Sequence, residues 1–260
     1  MKKLFLIILT VVLLVSSYSL WLVPKYVVPI LTYHSIGYGK SNHFVTPENF
    51  AKQMEYIKKK GYEVITLDEL VRGIRDKKHF KRNKVVITFD DGYKDNFKYA
   101  YPVLKNFNFP ATIFIIYDLV GKSVKESEFL NWEEIITMSA NNISFGSHTK
   151  THFYLGVVKD EKAAFDEISS SKIAIEQKIN LPVNYFCYPG GGFNEQVKEM
   201  VAKSGYKGAC ATNRGFADFN KDVYELKRIK ITNSDMTKPF SFWAKLSGYY
   251  NSFRKFRKPY

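Results

Sequence analysis

Short apolar runs alternate with longer amphipathic stretches from Val27 to Ile231. Val85-Val86-Ile87-Thr88-Phe89 and Ala111–Ile116 are apolar at consecutive positions, the pattern of strands buried on both faces, as in a parallel sheet. Phe50, Met54 and Ile57 keep helical spacing behind Thr46-Pro47, with proline at the first helical position, until Gly61 ends the run. The same reading predicts helices around Leu67–Arg75, Asp95–Asn106, Trp132–Ser139, Asp160–Ile179 and Glu195–Ser204. It predicts further strands at Val27–His34, Tyr62–Thr66, Ile143–Ser147, Asn184–Tyr188, Gly208–Ala211 and Leu226–Ile231, with Lys77–Lys84 as a solvated connection. Alternating strands and helices imply parallel βα units, and the strand count predicts an α/β fold, a distorted or incomplete (β/α) barrel of seven to eight parallel strands.

The two ends depart from that rhythm. Lys2-Lys3 precede an apolar stretch from Leu4 to Val23, the order of a secretory signal. Ser17-Tyr18-Ser19 is a poor cleavage site because Trp21 and Leu22 continue the run, so residues 1–23 are expected to form an uncleaved membrane anchor, with a cleaved signal as the alternative. Residues 24–235 then form a domain on the outer side of the cell membrane, or a secreted one. Residues 236–260 are basic and aromatic. There Phe242, Leu246, Tyr249 and Phe253 share one helical face, which suits either a membrane surface or packing against the barrel.

Composition adds bounds. With 260 residues, 45% of them hydrophobic, the chain can bury a full core. A net charge of +14 favours polyanions or anionic membrane surfaces as neighbours, but no nucleic-acid-binding motif is present and no nucleic-acid partner is expected. Cys187 and Cys210 are too few for a disulfide framework. They lie near the ends of neighbouring candidate strands, which leaves one bond between them open.

The chemistry gathers at strand ends. The central strand runs straight into Asp90-Asp91-Gly92, where α/β folds place their chemistry, although Asp-Gly is also an ordinary turn. Successive side chains leave a strand on opposite sides, so the two carboxylates are expected to do different jobs. His148 and His152 follow the strand Ile143–Ser147 and are expected on one face of a helical turn, where two imidazoles can share a metal. Two imidazoles and one carboxylate make a facial site with open positions; zinc suits hydrolysis best, and iron, cobalt, nickel or manganese are alternatives.

Thr88-Phe89-Asp90-Asp91 with His148-Thr149-Lys150-Thr151-His152 resembles the polysaccharide deacetylases, the NodB-homology group of carbohydrate esterases. The resemblance covers about Pro29 to Asp235. It implies that Asp90 is the general base and that Asp91, His148 and His152 hold a divalent metal. The stretch Phe186–Asn194 stands where this family usually has Arg-Pro-Pro-Tyr-Gly, and Cys187 takes the arginine's place. By analogy Gly190 faces the developing oxyanion, Tyr188 lies beside the substrate, and Arg228 is the candidate charged partner of Asp90. No histidine follows His152, so the usual late acid is missing. The permuted branch that deacetylates poly-N-acetylglucosamine carries its acid histidine first, and His34 in Ile30–Ser35 fits that pattern. The implied activity is removal of acetyl groups from an N-acetylated glycan. A noncatalytic polysaccharide-binding or export protein and an O-acetyl esterase are the alternatives. His43 and His79 lie in polar connections and receive no role.

Overall fold

Strands without a polar face need cover on both sides, and the chain provides it by closing them into a barrel with helices outside. The computed structural model describes residues 2–22, 26–212, 215–216, 220–238 and 240–253. Helix α1 spans Lys2–Leu22 and is followed by β1 (Ile30–Tyr33), with β2 (Ser35–Ile36) and β3 (Phe44–Val45) paired beside it. Then come α2 (Pro47–Lys59), β4 (Glu63–Val64), α3 (Leu67–Arg75) and β5 (Lys84–Phe89). Thr46 caps α2 by accepting from the Asn49 N–H, and Thr66 caps α3 through Glu69 in the same way. Next are α4 (Tyr101–Phe107), β6 (Ala111–Ile115), a hairpin of β7 (Ser123–Val124) and β8 (Ser127–Glu128), α5 (Trp132–Ser139) and β9 (Ile143–Ser147). The chain continues through α6 (Glu161–Ile179), β10 (Tyr185–Cys187), α7 (Glu195–Lys203), β11 (Gly208–Ala211), β12 (Leu226–Lys227), β13 (Ile229–Lys230) and α8 (Ser241–Leu246).

The strand order is β12-β11-β10-β9-β6-β5-β1-β13, with β4 attached to β5, and every pair along it is parallel. The path begins and ends on one short segment. Leu226–Lys227 pairs with β11 and Ile229–Lys230 pairs with β1, so the segment closes the barrel and breaks at Arg228. The expected strand Leu226–Ile231 is thus two half-strands facing different neighbours. Alternation along the strands sorts the apolar side chains into two sets. Ile30, Val86, Phe114, Cys187, Cys210 and Leu226 form one buried cluster with α3 residues, whereas Leu31, Val85 and Ile87 join the larger cluster that includes the other helices.

Several local expectations change. The helix expected over Asp95–Asn106 is a π-turn, Asn96–Ala100, leading into α4. Pro102 lacks an N–H and crowds the preceding turn, which a wider turn relieves. Lys84 belongs to β5 and is buried, its ammonium paired with Glu63 and Glu69. Both cysteines are free and buried although they face each other in register on β10 and β11, so the open disulfide is not formed. In the C-terminal segment α8 ends at Leu246 and buries Phe242, Lys245 and Leu246 against the barrel, with Phe242 edge-on to Tyr56 of α2. Arg254, Arg257 and Lys258 of the basic C-terminal segment lie outside the described residues, as do Val23 and Pro24 at the expected anchor boundary. Among the described residues no helix is long and apolar enough to cross a membrane.

Candidate active site

Asp90 sits one residue past β5, where its N–H donates to the Tyr33 carbonyl at 3.0 Å and its side chain is buried. Arg228, at the break between β12 and β13, reaches over β1 and holds it with two bonds of 2.7 Å, Nη1 to Oδ1 and Nη2 to Oδ2. The guanidinium also donates to Thr88 Oγ1 (3.1 Å), the Ala211 carbonyl (3.0 Å) and Cys187 Sγ (3.0 Å). Burial alone would raise the Asp90 carboxyl, but the Arg228 charge outweighs it and holds that carboxyl well below the ordinary range. Cys187 is therefore a neutral neighbour, its thiol pushed well up by burial, and the charge the family motif places there comes from the closing strand.

Asp91 turns away from the strand direction with φ of 70°, and this left-handed step sends its carboxylate to the other side of the site. His148 Nε2 and His152 Nε2 each lie 3.5 Å from Asp91 Oδ1. The expected helical turn is absent. His148 to His152 form an irregular loop with Thr149 and His152 both at positive φ, and the two imidazoles meet edge to face at 4.9 Å. Glu167 of α6 clasps that loop, accepting from the Lys150 and Thr151 N–H groups at 2.9 Å and from the Thr151 hydroxyl at 2.8 Å. It fixes His152 from outside the site, and nothing in its helical surroundings marks it in the sequence.

These three groups fit a divalent cation. The Cys187 carbonyl accepts from His148 Nδ1 at 2.7 Å, which fixes the tautomer and leaves Nε2 as the free lone pair facing Asp91. Burial lowers the proton affinity of both imidazoles, so they are neutral ligands near pH 7. Burial raises Asp91, opposed only in part by His148, so the carboxylate has room for a compensating positive charge.

His34 lies one residue past β1, its backbone carbonyl held by Asn96 Nδ2 at 2.8 Å. Its Nε2 is 3.9 Å from Asp90 Oδ2, and burial lowers the imidazole from 6.5 to about 3 despite the Asp90 charge. His43, given no role above, stands edge-on to His34 at 4.6 Å. Gly190 has φ of 62° in the turn Pro189–Gly191, a backbone that glycine adopts without strain. Tyr188, expected beside the substrate, commits its hydroxyl to the Tyr224 carbonyl (2.9 Å) and stacks its ring on Phe193. Asp90, Arg228, Asp91, His148, His152, His34, His43, Gly190 and Tyr188 border one cavity of about 360 Å³, which Thr32 and Lys230 also line. His79 remains on an exposed connection.

A family model described as polysaccharide deacetylase matches residues 77–209, a range that holds Asp90, Asp91, His148, His152 and Gly190 but neither His34 nor Arg228. YxkH of Bacillus subtilis strain 168 is 33% identical over 204 residues, covering 78% of this chain and 71% of that protein. The poly-beta-1,6-N-acetyl-D-glucosamine N-deacetylase of Staphylococcus epidermidis is 27% identical over 203 residues, covering 74% and 69%. Among solved structures, Streptococcus pyogenes deacetylase PplD, in complex with acetate, superposes with a TM-score of 0.76 at 26% identity, covering 85% of this chain and 99% of that one. IcaB from Ammonifex degensii shares the fold at a TM-score of 0.75 and 23% identity, covering 85% and 97%. The nearly closed parallel barrel is the NodB-type fold, and the chain belongs to the polysaccharide deacetylase family, hydrolases that cleave the amide bonds of N-acetylated sugars.

Proposed function

We propose that this protein is a metal-dependent N-deacetylase that removes acetyl groups from N-acetylglucosamine residues of an extracellular or cell-wall polysaccharide. The observation that carries the reading is one cavity bordered by the Asp91–His148–His152 cluster and the Asp90–Arg228 pair, with His34 Nε2 3.9 Å from Asp90 Oδ2. The likeness to the Staphylococcus epidermidis enzyme supports the choice of sugar. A divalent cation, zinc by donor chemistry, would be held by Asp91, His148 and His152, and when bound it supplies Lewis acidity toward the amide carbonyl and acidifies a bound water.

The chain's own residues supply the proton handling. Water adds to the amide carbon and gives up a proton to the Asp90–His34 pair. The carbon–nitrogen bond then breaks and the departing amine needs a proton. Asp90, held by Arg228, has low affinity for a proton and passes it on. His34 is neutral at rest, so the proton it delivers to the amine is the one taken from the water, and no protonated imidazole is needed beforehand. The Gly190 backbone, at the edge of the cavity, faces the developing oxyanion in this reading. The same reading places the domain outside the cytoplasm, supported by Lys2-Lys3 and by the exposed apolar side chains of Leu4, Ile7, Ile8, Val11 and Val12 on α1.

Three outcomes test the proposal. Acetate release from an N-acetylglucosamine oligosaccharide, with elemental analysis of bound metal, separates the roles. His148→Ala and His152→Ala lose metal and activity together, Glu167→Ala binds metal about tenfold or more less tightly, and Asp90→Asn keeps metal but loses about 10²–10⁴-fold in rate. Full metal in the histidine variants, or no acetate from wild type, would sink the assignment. The second outcome concerns acid stability of the metal-free protein. Because His34 titrates near 3 folded and near 6.5 unfolded, the unfolded chain binds the extra proton in between, and stability present at pH 7 is lost as pH falls toward 3. Urea unfolding at pH 7 and pH 4.5 should show wild type losing up to about 3 kcal/mol more than His34→Gln; equal losses would mean that His34 is not buried neutral. Finally, the full-length protein should stay with membranes after a salt wash, and recovery in the soluble fraction would remove the anchor.

A further inference from the structure

Two polar groups at the β1–β13 edge of the cavity are left unused by the hydrolysis. Thr32 and Lys230 are directly paired across β1 and β13, so their side chains leave the sheet on the same face, and both line the cavity. Thr32 is 5% exposed, and its hydroxyl has no hydrogen-bond partner among the described residues. Lys230 is half-buried, and among the described residues its ammonium makes no hydrogen bond or ion pair. A buried hydroxyl without a partner costs stability, and so does an unpaired, partly desolvated ammonium.

The charges around the cavity decide what these groups await. Asp90 and Arg228 neutralise each other through two bonds. Asp91 belongs to the candidate metal cluster, and His34 and His43 are both held neutral by burial. The Lys245 ammonium, whose charge also acts on Lys230, is bound to Asp235 and to the Lys230 carbonyl. Lys230 therefore faces the cavity without an ion pair among the described residues, attracted only through space by Asp90, which Arg228 already holds. A neutral sugar offers it hydroxyls alone. A carboxylate or phosphate offers Lys230 a counter-charge and Thr32 an acceptor at once.

We propose that Thr32 and Lys230 form a subsite for an anionic oxygen group carried by the glycan, so that the substrate is an N-acetylated polysaccharide bearing a carboxylate or a phosphate. The subsite lies at the β1–β13 pair. The metal cluster is reached across β5 and β6 from β9, so the acetamide and the anion sit on opposite sides of Asp90. The inference deepens the deacetylase reading and rests on it for the identity of the ligand as a glycan. It also explains a placement otherwise costly to the fold, an unsatisfied buried hydroxyl beside a lysine without an ion pair in the barrel wall.

The test is equilibrium binding by the metal-free full chain to three N-acetylated oligosaccharides of equal length: one neutral, one with a lactyl-ether carboxylate, one with a phosphate ester. Wild type should bind at least one anionic probe about tenfold or more tighter than the neutral one, the gain of one charge-assisted contact. Which anionic probe gains identifies the source of the charge. Lys230→Gln should erase the difference while leaving neutral binding within a few fold, and Lys230→Arg should keep most of it. Thr32→Val should reduce it without loss of thermal stability, since the hydroxyl has no partner to lose, and Thr32→Ser should restore it. Equal binding of all three probes by wild type, or a preference that survives in Lys230→Gln, overturns the subsite. A charge preference that vanishes with Lys230 in a protein that releases no acetate from any probe would count against the deacetylase reading and in favour of the subsite.

Discussion

Asp90 and Arg228 are joined by two short bonds across the seam where the barrel closes, and the site is arranged around that contact. Their side chains are 8% and 2% exposed, and 138 residues separate them in sequence. Removing one partner from such a buried pair leaves an uncompensated charge at a cost of about 3–5 kcal/mol, so the pair fixes the register of the closing strand as well as the carboxylate. The break at Arg228 follows from this demand. The residues before it pair with β11, those after it pair with β1, and the guanidinium at the junction reaches over β1 to β5.

That contact also divides the labour of two adjacent acids. Asp90 stays on the interior side with Thr88, in a line of polar side chains above an apolar layer. Asp91 leaves the strand direction at positive φ and meets the histidines. One acid is held at low proton affinity by arginine, and burial raises the other, which faces two imidazoles. His148 is tied to both through Cys187, whose carbonyl holds the imidazole and whose thiol touches the guanidinium.

Most of the fold was legible because its strands are apolar at consecutive positions and its helices start at Thr-x-x or Asn-x-x caps such as Thr46, Thr66 and Asn131. The groups gathered at the site were legible because Asp90, Asp91, His148 and His34 all stand just past strand ends. Two things were not. The irregular loop at Thr149–His152 depends on Glu167 from a distant helix, which no local pattern announces. His43 lies in a polar loop, and only the pairing of β2 with β3 brings it against His34. Thr32 and Lys230 did leave a signal: Ile30-Thr32-His34, Val86-Thr88-Asp90 and Leu226-Arg228-Lys230 each run from apolar to polar at every second residue. Period-two polarity within an otherwise apolar strand marks side chains facing one interior, and it predicts which polar groups meet.

The central claim is that the two-pronged grip of Arg228 on Asp90 sets the geometry of proton transfer. Arg228→Lys keeps the charge but loses the planar fork, so it tests the grip rather than the electrostatics. Acetate release from an N-acetylglucosamine oligosaccharide, measured for Arg228→Lys and wild type at equal metal content, should fall on the order of 10²-fold or more while metal affinity is unchanged. Acetate release within a few fold of wild type would contradict the account.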